Sequence, residues 1–344
     1  MLMNTFCHLP GIGEKTERKL WAAGVTSRDS SPHEALLWLP LSSEEWSRYM
    51  REWVHQYEQR NAAYFAENLP TNQRWRLYWD FRDECAFVDI ETTGLPPWGD
   101  EITTIVLYDG RTLRHYVNGD NLDQFPKDVE AYPLLVTYNG KTFDIPFIER
   151  FFRIRLPQAH IDLRYPLRSL GLKGGLKGCE RQLGISRPGL ENVGGFDAVL
   201  LWQEYRTQKN IKALETLLAY NIQDTLALHA LMVHTHNEKV KATPFAGSYS
   251  LPAPSLPASP FKADSETLER LCPQALTLGP FSLVPPGIVT NPRHGIRKTV
   301  TEAATGTLPV DPPAARASFH VASGGQQANA NLGTDTASST GTRT

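Results

Sequence analysis

The spacing of apolar and polar residues between positions 76 and 238 predicts an α/β domain. Apolar runs of strand length, rich in β-branched and aromatic residues, lie at 86–90, 102–108, 111–117, 134–138 and 159–163. Asp109-Gly110 separates the second run from the third, which predicts a β-hairpin. Helical spacing follows at 164–170, 175–183, 196–206 and 210–236. A hairpin followed by strands that alternate with helices indicates a mixed sheet flanked by helices.

Carboxylates interrupt these apolar elements at three places. Asp89 and Glu91 lie two residues apart in the first strand, so they share one face of the sheet. Asp144 follows the 134–138 run and could alternatively be a helix N-cap. Tyr220 and Asp224 are four residues apart in a helical pattern, so they share one helix face. Each block alone has an ordinary structural explanation, but together they predict a shared site for Mg²⁺ or Mn²⁺, which prefer oxygen ligands.

The three blocks resemble the exonuclease motifs of the DEDD superfamily, in the tyrosine-bearing DEDDy branch, because residue 220 is Tyr rather than His. A closer resemblance is to the YprB-like ribonuclease H-like proteins of bacteria. It covers about residues 75–236 and rests on FVDIETTGL, TYNGKTFDIPFI, HIDLRYPLRSLGLKGGLKGCERQLGI and LLAYNIQDTLAL. The resemblance implies a ribonuclease H-like fold, a two-metal-ion site and hydrolysis of nucleic acid from a 3′ end.

The resemblance also implies a role for each motif residue. Asp89 would bridge two ions, Glu91 and Asp224 would complete the site of the ion that activates water, Asp144 would hold the other ion, and Tyr220 would orient the water. The residues implied to contact the nucleic acid are Thr92, Thr93 and Leu95 at the 3′-terminal nucleotide, and Lys173 and Lys177 at a phosphate.

Two other functions remain open at this stage. The chain could be a nucleic-acid-binding module with weak or no catalysis, or a structure-specific endonuclease with the same fold. Asp162 follows the last strand and could be taken for a fifth metal ligand. Because Arg164 and Arg168 lie beside it, we interpret Asp162 as a cap or structural partner.

Residues 1–30 contain a second pattern that points to nucleic acid. HLPGIGEKTERKLWAAGV, at 8–25, resembles a helix-hairpin-helix motif. Gly11 and Gly13 would bring backbone N–H groups close to a phosphate, and Lys15 would add charge. The alternative is a capped helix after a Pro-Gly turn. This motif favours DNA over RNA as the partner.

Residues 31–75 form a predicted helical connector. Ser42 and Glu45 have the spacing of a capping box. The aromatic and apolar side chains that follow recur at helical intervals, and this stripe could stack bases. We interpret it instead as a packing face against the neighbouring domain.

Composition limits the remaining interpretations. The net charge is −2, so nucleic acid would have to bind through a local basic surface. The four cysteines lack metal-ligand spacing, and neither a membrane-spanning run nor a signal peptide is evident, which favours a cytoplasmic protein without membrane attachment. Residues 242–344 are rich in Pro, Ala, Ser, Gly and Thr and are predicted to form a disordered tail.

Overall fold

The computed structural model describes residues 1–27, 29–30, 41–94 and 101–272. Those residues belong to one compact unit, so the predicted N-terminal motif, connector and α/β domain are packed together. Leu95 and residues 273–344 of the predicted tail lie outside the described residues.

The described strands form one mixed sheet in the order β3-β2-β1-β4-β5. Their bounds are β1 Cys85–Thr92, β2 Ile102–Tyr108, β3 Leu113–Val117, β4 Leu134–Thr137 and β5 Ala159–Asp162. The first three strands are antiparallel, whereas β1, β4 and β5 run parallel. This is the α/β mixed sheet that the sequence predicts.

The β2–β3 hairpin is confirmed, although its second strand begins two residues later than predicted. The Asp109 side chain accepts hydrogen bonds from the amides of Arg111 and Thr112, at 2.9 and 2.7 Å. Those two residues therefore belong to the turn, where Gly110 adopts a φ of 87°.

The helices of the described residues are numbered in chain order. Helices α1 to α12 span Glu14–Ala22, Ser43–Glu58, Ala62–Asn68, Leu77–Phe81, Phe125–Val129, Asp144–Phe152, Arg164–Ser169, Gly175–Gln182, Gly195–Gln208, Ile211–Lys241, Ala246–Tyr249 and Ser265–Leu271. Short 3₁₀ segments cover Leu2–Asn4, Thr71–Arg76, Arg82–Glu84 and Leu122–Gln124. Helix α2 begins with the predicted capping box, in which the amide of Ser42 donates to Glu45 at 2.8 Å.

Alternation along β1 divides its side chains between two cores. Ala86, Val88 and Ile90 face a cluster that includes residues of α5 and α6. Phe87 points to the opposite side, into the cluster that contains Ile222 of α10. Helix α10 packs on β1, β2 and β4. The odd-numbered residues of β1, including both carboxylates, therefore face α10.

The N-terminal segment and helix α2 form a further hydrophobic cluster. Leu20 and Trp21 of α1 pack with Trp46 and Met50 of α2. The next member of the aromatic stripe, Trp53, is buried in the same cluster as Phe87 of the sheet. The stripe is thus a packing face, as we interpreted it.

A disordered tail beginning at 242 is wrong for the described part of that segment. Helix α10 continues to Lys241, and the chain after it packs back on the core as far as Cys272. Asn237 exchanges two hydrogen bonds with the backbone of Leu251, at 2.8 and 2.9 Å. Leu268 of α12 is buried against α9 and α10. The composition of this segment did not predict its order, because only a few apolar residues make the contacts with the domain.

We expect removal of residues 245–344 to destabilise the domain, whereas removal of 273–344 leaves its stability nearly unchanged. The first truncation exposes apolar surface that residues 245–272 cover, and Leu268→Ala alone should cost about 2–5 kcal/mol. Urea unfolding of the full-length protein and of the two truncated proteins measures the effect on the free energy of unfolding. Equal midpoints for both truncations would show that the 245–272 segment does not support the core.

Candidate active site

Three carboxylates converge between β1 and α10. One carboxylate oxygen from each of Asp89, Glu91 and Asp224 lies within 4.8 Å of the other two. The strand supplies the first two residues and the helix supplies the third. This arrangement follows from strand alternation, which turns both β1 carboxylates towards α10.

Asp144 lies outside that group of three but is held against the same strand. Its Oδ1 accepts a hydrogen bond of 3.3 Å from the amide of Ile90, in the peptide that joins Asp89 to the next residue. Asp144 is the first residue of α6, after Phe143 at the N-cap position, and no side-chain cap hydrogen bond forms there. The alternative reading of Asp144 as the N-cap residue is therefore wrong.

Tyr220 lies one helical turn before Asp224 and is buried. Two cations flank its ring: Lys177 Nζ is 4.5 Å, and Arg187 Cζ 5.5 Å, from the ring centroid. Burial and then the charge of Glu91 raise the pKa of the Tyr220 phenol well above its usual range. Tyr220 therefore keeps its O–H donor at neutral pH.

Asn221 is a site residue that the sequence analysis missed. Its Nδ2 donates to Asp89 Oδ2 at 2.7 Å, and its Oδ1 accepts from Thr104 Oγ1 at 2.9 Å. Asn221 is completely buried in α10, so each half of its amide has a fixed partner. The signal in the sequence was a polar residue inside the apolar stripe of a helix. This side chain holds Asp89 in one orientation.

Arg187 and Glu180 were also missed. Arg187 Nη2 forms an ion pair with Asp224 Oδ1, and Arg187 Nε lies 3.0 Å from Glu180 Oε2. All three side chains are buried. A loop arginine and a helix glutamate carry no recognisable motif, so only their spatial neighbours reveal them.

The site contains more acidic groups than cations. Desolvation raises the pKa of Asp89 to about 7. The pKa values of Glu91 and Asp144 also rise well above their usual ranges, through desolvation and then through repulsion from Asp89. Arg187 and Lys177 oppose the shift of Asp89 only in part. Burial disfavours the charged forms of these carboxylates when no cation is near, and their oxygens are hard donors, so the group fits a divalent cation.

The remaining predicted contacts fall into several environments. Thr92 is buried and donates from its Oγ1 to the carbonyl of Gly94 at 3.0 Å, and the amide of Thr93 donates to Glu101 O at 3.0 Å. The side chain of Lys177 donates to the Val193 carbonyl. Lys173 is exposed. The charge of Lys177 acts on the acidic group, where it lowers the pKa values of Asp89 and Glu91 and so opposes their upward shift.

Asp162 has the structural role that we predicted. Its Oδ1 accepts from the amides of Asn139 and Arg164, at 2.7 and 3.0 Å, and its Oδ2 accepts from the amide of Lys141 at 3.1 Å. These bonds hold the turn after β4, where Asn139 adopts a φ of 65°. The turn leads directly into α6 and thus to Asp144.

The glycine hairpin near the N-terminus lies on the surface. Gly11 and Gly13 are exposed, Ile12 is buried, and Gly13 is the N-cap residue of α1. Lys15 is exposed in the first turn of the helix. The segment that precedes the hairpin contains only the Leu2–Asn4 3₁₀ turn, so this region has one α-helix rather than the two of the expected motif.

Comparison with known proteins agrees with this architecture. A family model described as the RNase_H superfamily matches residues 86–236, which is less than half of the 344-residue chain. This region has the ribonuclease H-like fold. Nuclease chemistry with divalent metal ions is typical of that superfamily, and the acidic group lies within the matched residues. Neither the curated proteins nor the solved structures gave a match.

The matched region includes residues 211–236 of α10, the longest helix of the described residues. None of the helices described here combines the length and apolarity needed to cross a membrane.

We expect the metal-free protein to lose stability as pH rises from about 3.8 to about 7, the interval between the unfolded and folded pKa values of Asp89. The pKa of Asp89 is raised from 3.8 to about 7 in the folded state. Its stabilising contribution is therefore complete below the unfolded value and disappears as pH passes through about 7. Melting temperatures in EDTA across this pH range should fall, and Asp89→Asn should reduce that slope. Asp123→Asn, which changes an exposed acid, is the control. An unchanged slope in Asp89→Asn would contradict the assignment.

Proposed function

We propose that this protein is a metal-dependent 3′→5′ exonuclease of the DEDDy type. The observation that carries the proposal is the convergence of Asp89, Glu91 and Asp224 within 4.8 Å, with Tyr220 one turn away on the same helix. The reaction would hydrolyse a phosphodiester at a 3′ end and release a nucleoside 5′-monophosphate.

The carboxylates would hold two Mg²⁺ or Mn²⁺ ions. Asp89, Glu91 and Asp224 offer oxygens to one site. Asp144, which accepts a hydrogen bond from the Ile90 amide, would contribute to the second site. When bound, such ions lower the pKa of water and neutralise the charge that develops on the phosphate. The buried acids of the chain supply the hard ligands that this chemistry needs.

The other side chains would orient the substrate and the water. Tyr220 keeps its phenolic proton and can position an attacking water by a hydrogen bond. Asn221 holds Asp89 at 2.7 Å, which preserves its orientation when substrate enters. Lys177 and Lys173 would contact phosphate, and Thr92, Thr93 and Leu95 would surround the 3′-terminal nucleotide.

A contribution from the N-terminal hairpin belongs to the same proposal. The exposed Gly11 and Gly13 can present backbone N–H groups to a phosphate, with Lys15 adding a positive charge. Glu14 and Glu17 lie in the same first turn, and their charge opposes an anion there. Each of these acids lies beside a cation, Glu17 at 2.6 Å from Arg76 and Glu14 at 3.7 Å from Arg18, which reduces that opposition. DNA is the favoured substrate in this proposal.

Two alternatives differ from the exonuclease in a measurable way. A catalytically weak binding module would bind nucleic acid without releasing nucleotides. A structure-specific endonuclease would cut circular single-stranded DNA, which has no end for an exonuclease to attack. A panel of end-labelled single- and double-stranded DNA and RNA with Mn²⁺, together with a circular strand, separates all three.

We expect wild-type protein to release nucleotides from 3′ ends and Asp89→Asn to lose at least about 10²-fold in rate. The variant removes one anionic ligand and keeps the shape of the side chain. Asp123→Asn serves as the control for an acid at an exposed position. Cleavage of the circle, or full activity in Asp89→Asn, would reject the proposed reaction.

Tyr220→Phe should lower kcat by about 10²-fold while nucleic-acid affinity stays nearly constant. The ring and its contacts with the two cations remain, so only one oriented hydrogen bond is lost. Single-turnover cleavage and fluorescence anisotropy in Ca²⁺ measure the two quantities separately. Parallel losses of rate and affinity would make Tyr220 a substrate contact instead.

A further inference from the structure

Arg187 connects two buried acids across the candidate active site. Its Nε lies 3.0 Å from Glu180 Oε2, and its Nη2 contacts Asp224 Oδ1. Glu180 is completely buried in α8. Two neighbouring nitrogens of the guanidinium therefore contact two different carboxylates, Nε that of Glu180 and Nη2 that of Asp224.

This geometry limits how Asp224 can move. A guanidinium is planar and rigid, so contacts with carboxylates at two of its nitrogens restrict both its position and its plane. A carboxylate paired with it through Oδ1 keeps its other oxygen free. The ring of Tyr220, 5.5 Å from Arg187 Cζ, closes a third side. Arg187 thus contacts the Asp224 carboxylate and faces the Tyr220 ring.

We propose that Arg187 is a positioning residue for metal binding: Glu180 orders its guanidinium, and the guanidinium holds Asp224 so that its second oxygen is directed to the ion. The inference rests on the proposed function, since Asp224 must be a ligand. Residues behind a metal ligand commonly set its orientation, and their loss costs about 10–100-fold in metal affinity.

A simple charge argument gives the opposite result. A fixed positive charge beside a cation site repels the cation, so its removal should strengthen metal binding. A positioning role requires that its removal weaken binding, because Asp224 would then sample other rotamers. The direction of the change in affinity therefore distinguishes the two roles.

The test is a titration of the full chain with Mn²⁺ by isothermal calorimetry. Arg187→Gln should weaken the affinity about 10–100-fold. Arg187→Lys keeps the positive charge but has one nitrogen in place of the two that contact Glu180 and Asp224, so it should also weaken binding. Melting temperatures with and without Mn²⁺ provide a second readout, and the upward shift on adding Mn²⁺ should be smaller in both variants.

Arg76→Gln is a matched control from the same molecule. Arg76 and Glu17 form another buried ion pair, with exposures of 3% and 1%, compared with 5% and 8% for Arg187 and Asp224. Loss of the Arg76 pair should lower the melting temperature and leave the Mn²⁺ affinity of the folded protein unchanged. The control separates a general loss of a buried arginine from a specific effect on the metal site.

Each outcome decides between the two ideas. Unchanged or tighter Mn²⁺ binding in Arg187→Gln, with normal binding in wild type, overturns the positioning role alone. If Arg187→Gln does not fold, unchanged affinity in Arg187→Lys has the same meaning. Absence of Mn²⁺ binding by the wild-type protein rejects the proposed metal site, and the inference falls with it.

Discussion

The constraint on which the rest of this structure depends is the burial of several carboxylates close together. Asp89, Glu91 and Asp224 meet within 4.8 Å, and Asp144 lies just across one peptide bond. Such an arrangement opposes folding in the absence of a cation. Desolvation raises the pKa of Asp89, and desolvation followed by repulsion from Asp89 raises the pKa values of Glu91 and Asp144. The rest of the domain must therefore be stable enough to hold these groups together.

The scaffold meets this demand with a long helix and a central strand. Helix α10 runs from Ile211 to Lys241 and packs on β1, β2 and β4, with both the apolar core and the site along its length. Buried polar partners then fix individual acids: Asn221 and Thr104 hold Asp89, and Arg187 holds Asp224. Because these partners are themselves fixed, the acids keep their orientation without a bound ion. A site of this kind is preorganised for a cation and for an anionic substrate that the cation can attract.

The sequence predicted the elements of the domain well where their periodicity was strong. The five strands and the four helices between 164 and 241 were expected in the right order, because two-residue and helical spacing are local properties, whereas the short helix α5 was not predicted. The errors occurred where a side chain competed with the backbone or where a partner lay far along the chain. Asp109 shortened β3 through local hydrogen bonds. Residues 242–272 gained their order from contacts with α9 and α10 that their composition did not predict.

The sequence by itself determined which groups can do chemistry and which face of each element they occupy. Asp89 and Glu91 had to share a strand face, and Tyr220 and Asp224 a helix face, because the spacing of side chains is set by the backbone. Only the tertiary structure decided which groups meet. It brought Asn221 to Asp89 across 132 positions of the chain and placed Arg187 between Glu180 and Asp224. Contacts of this kind depend on how a helix packs on a sheet, and the local sequence pattern does not determine that packing.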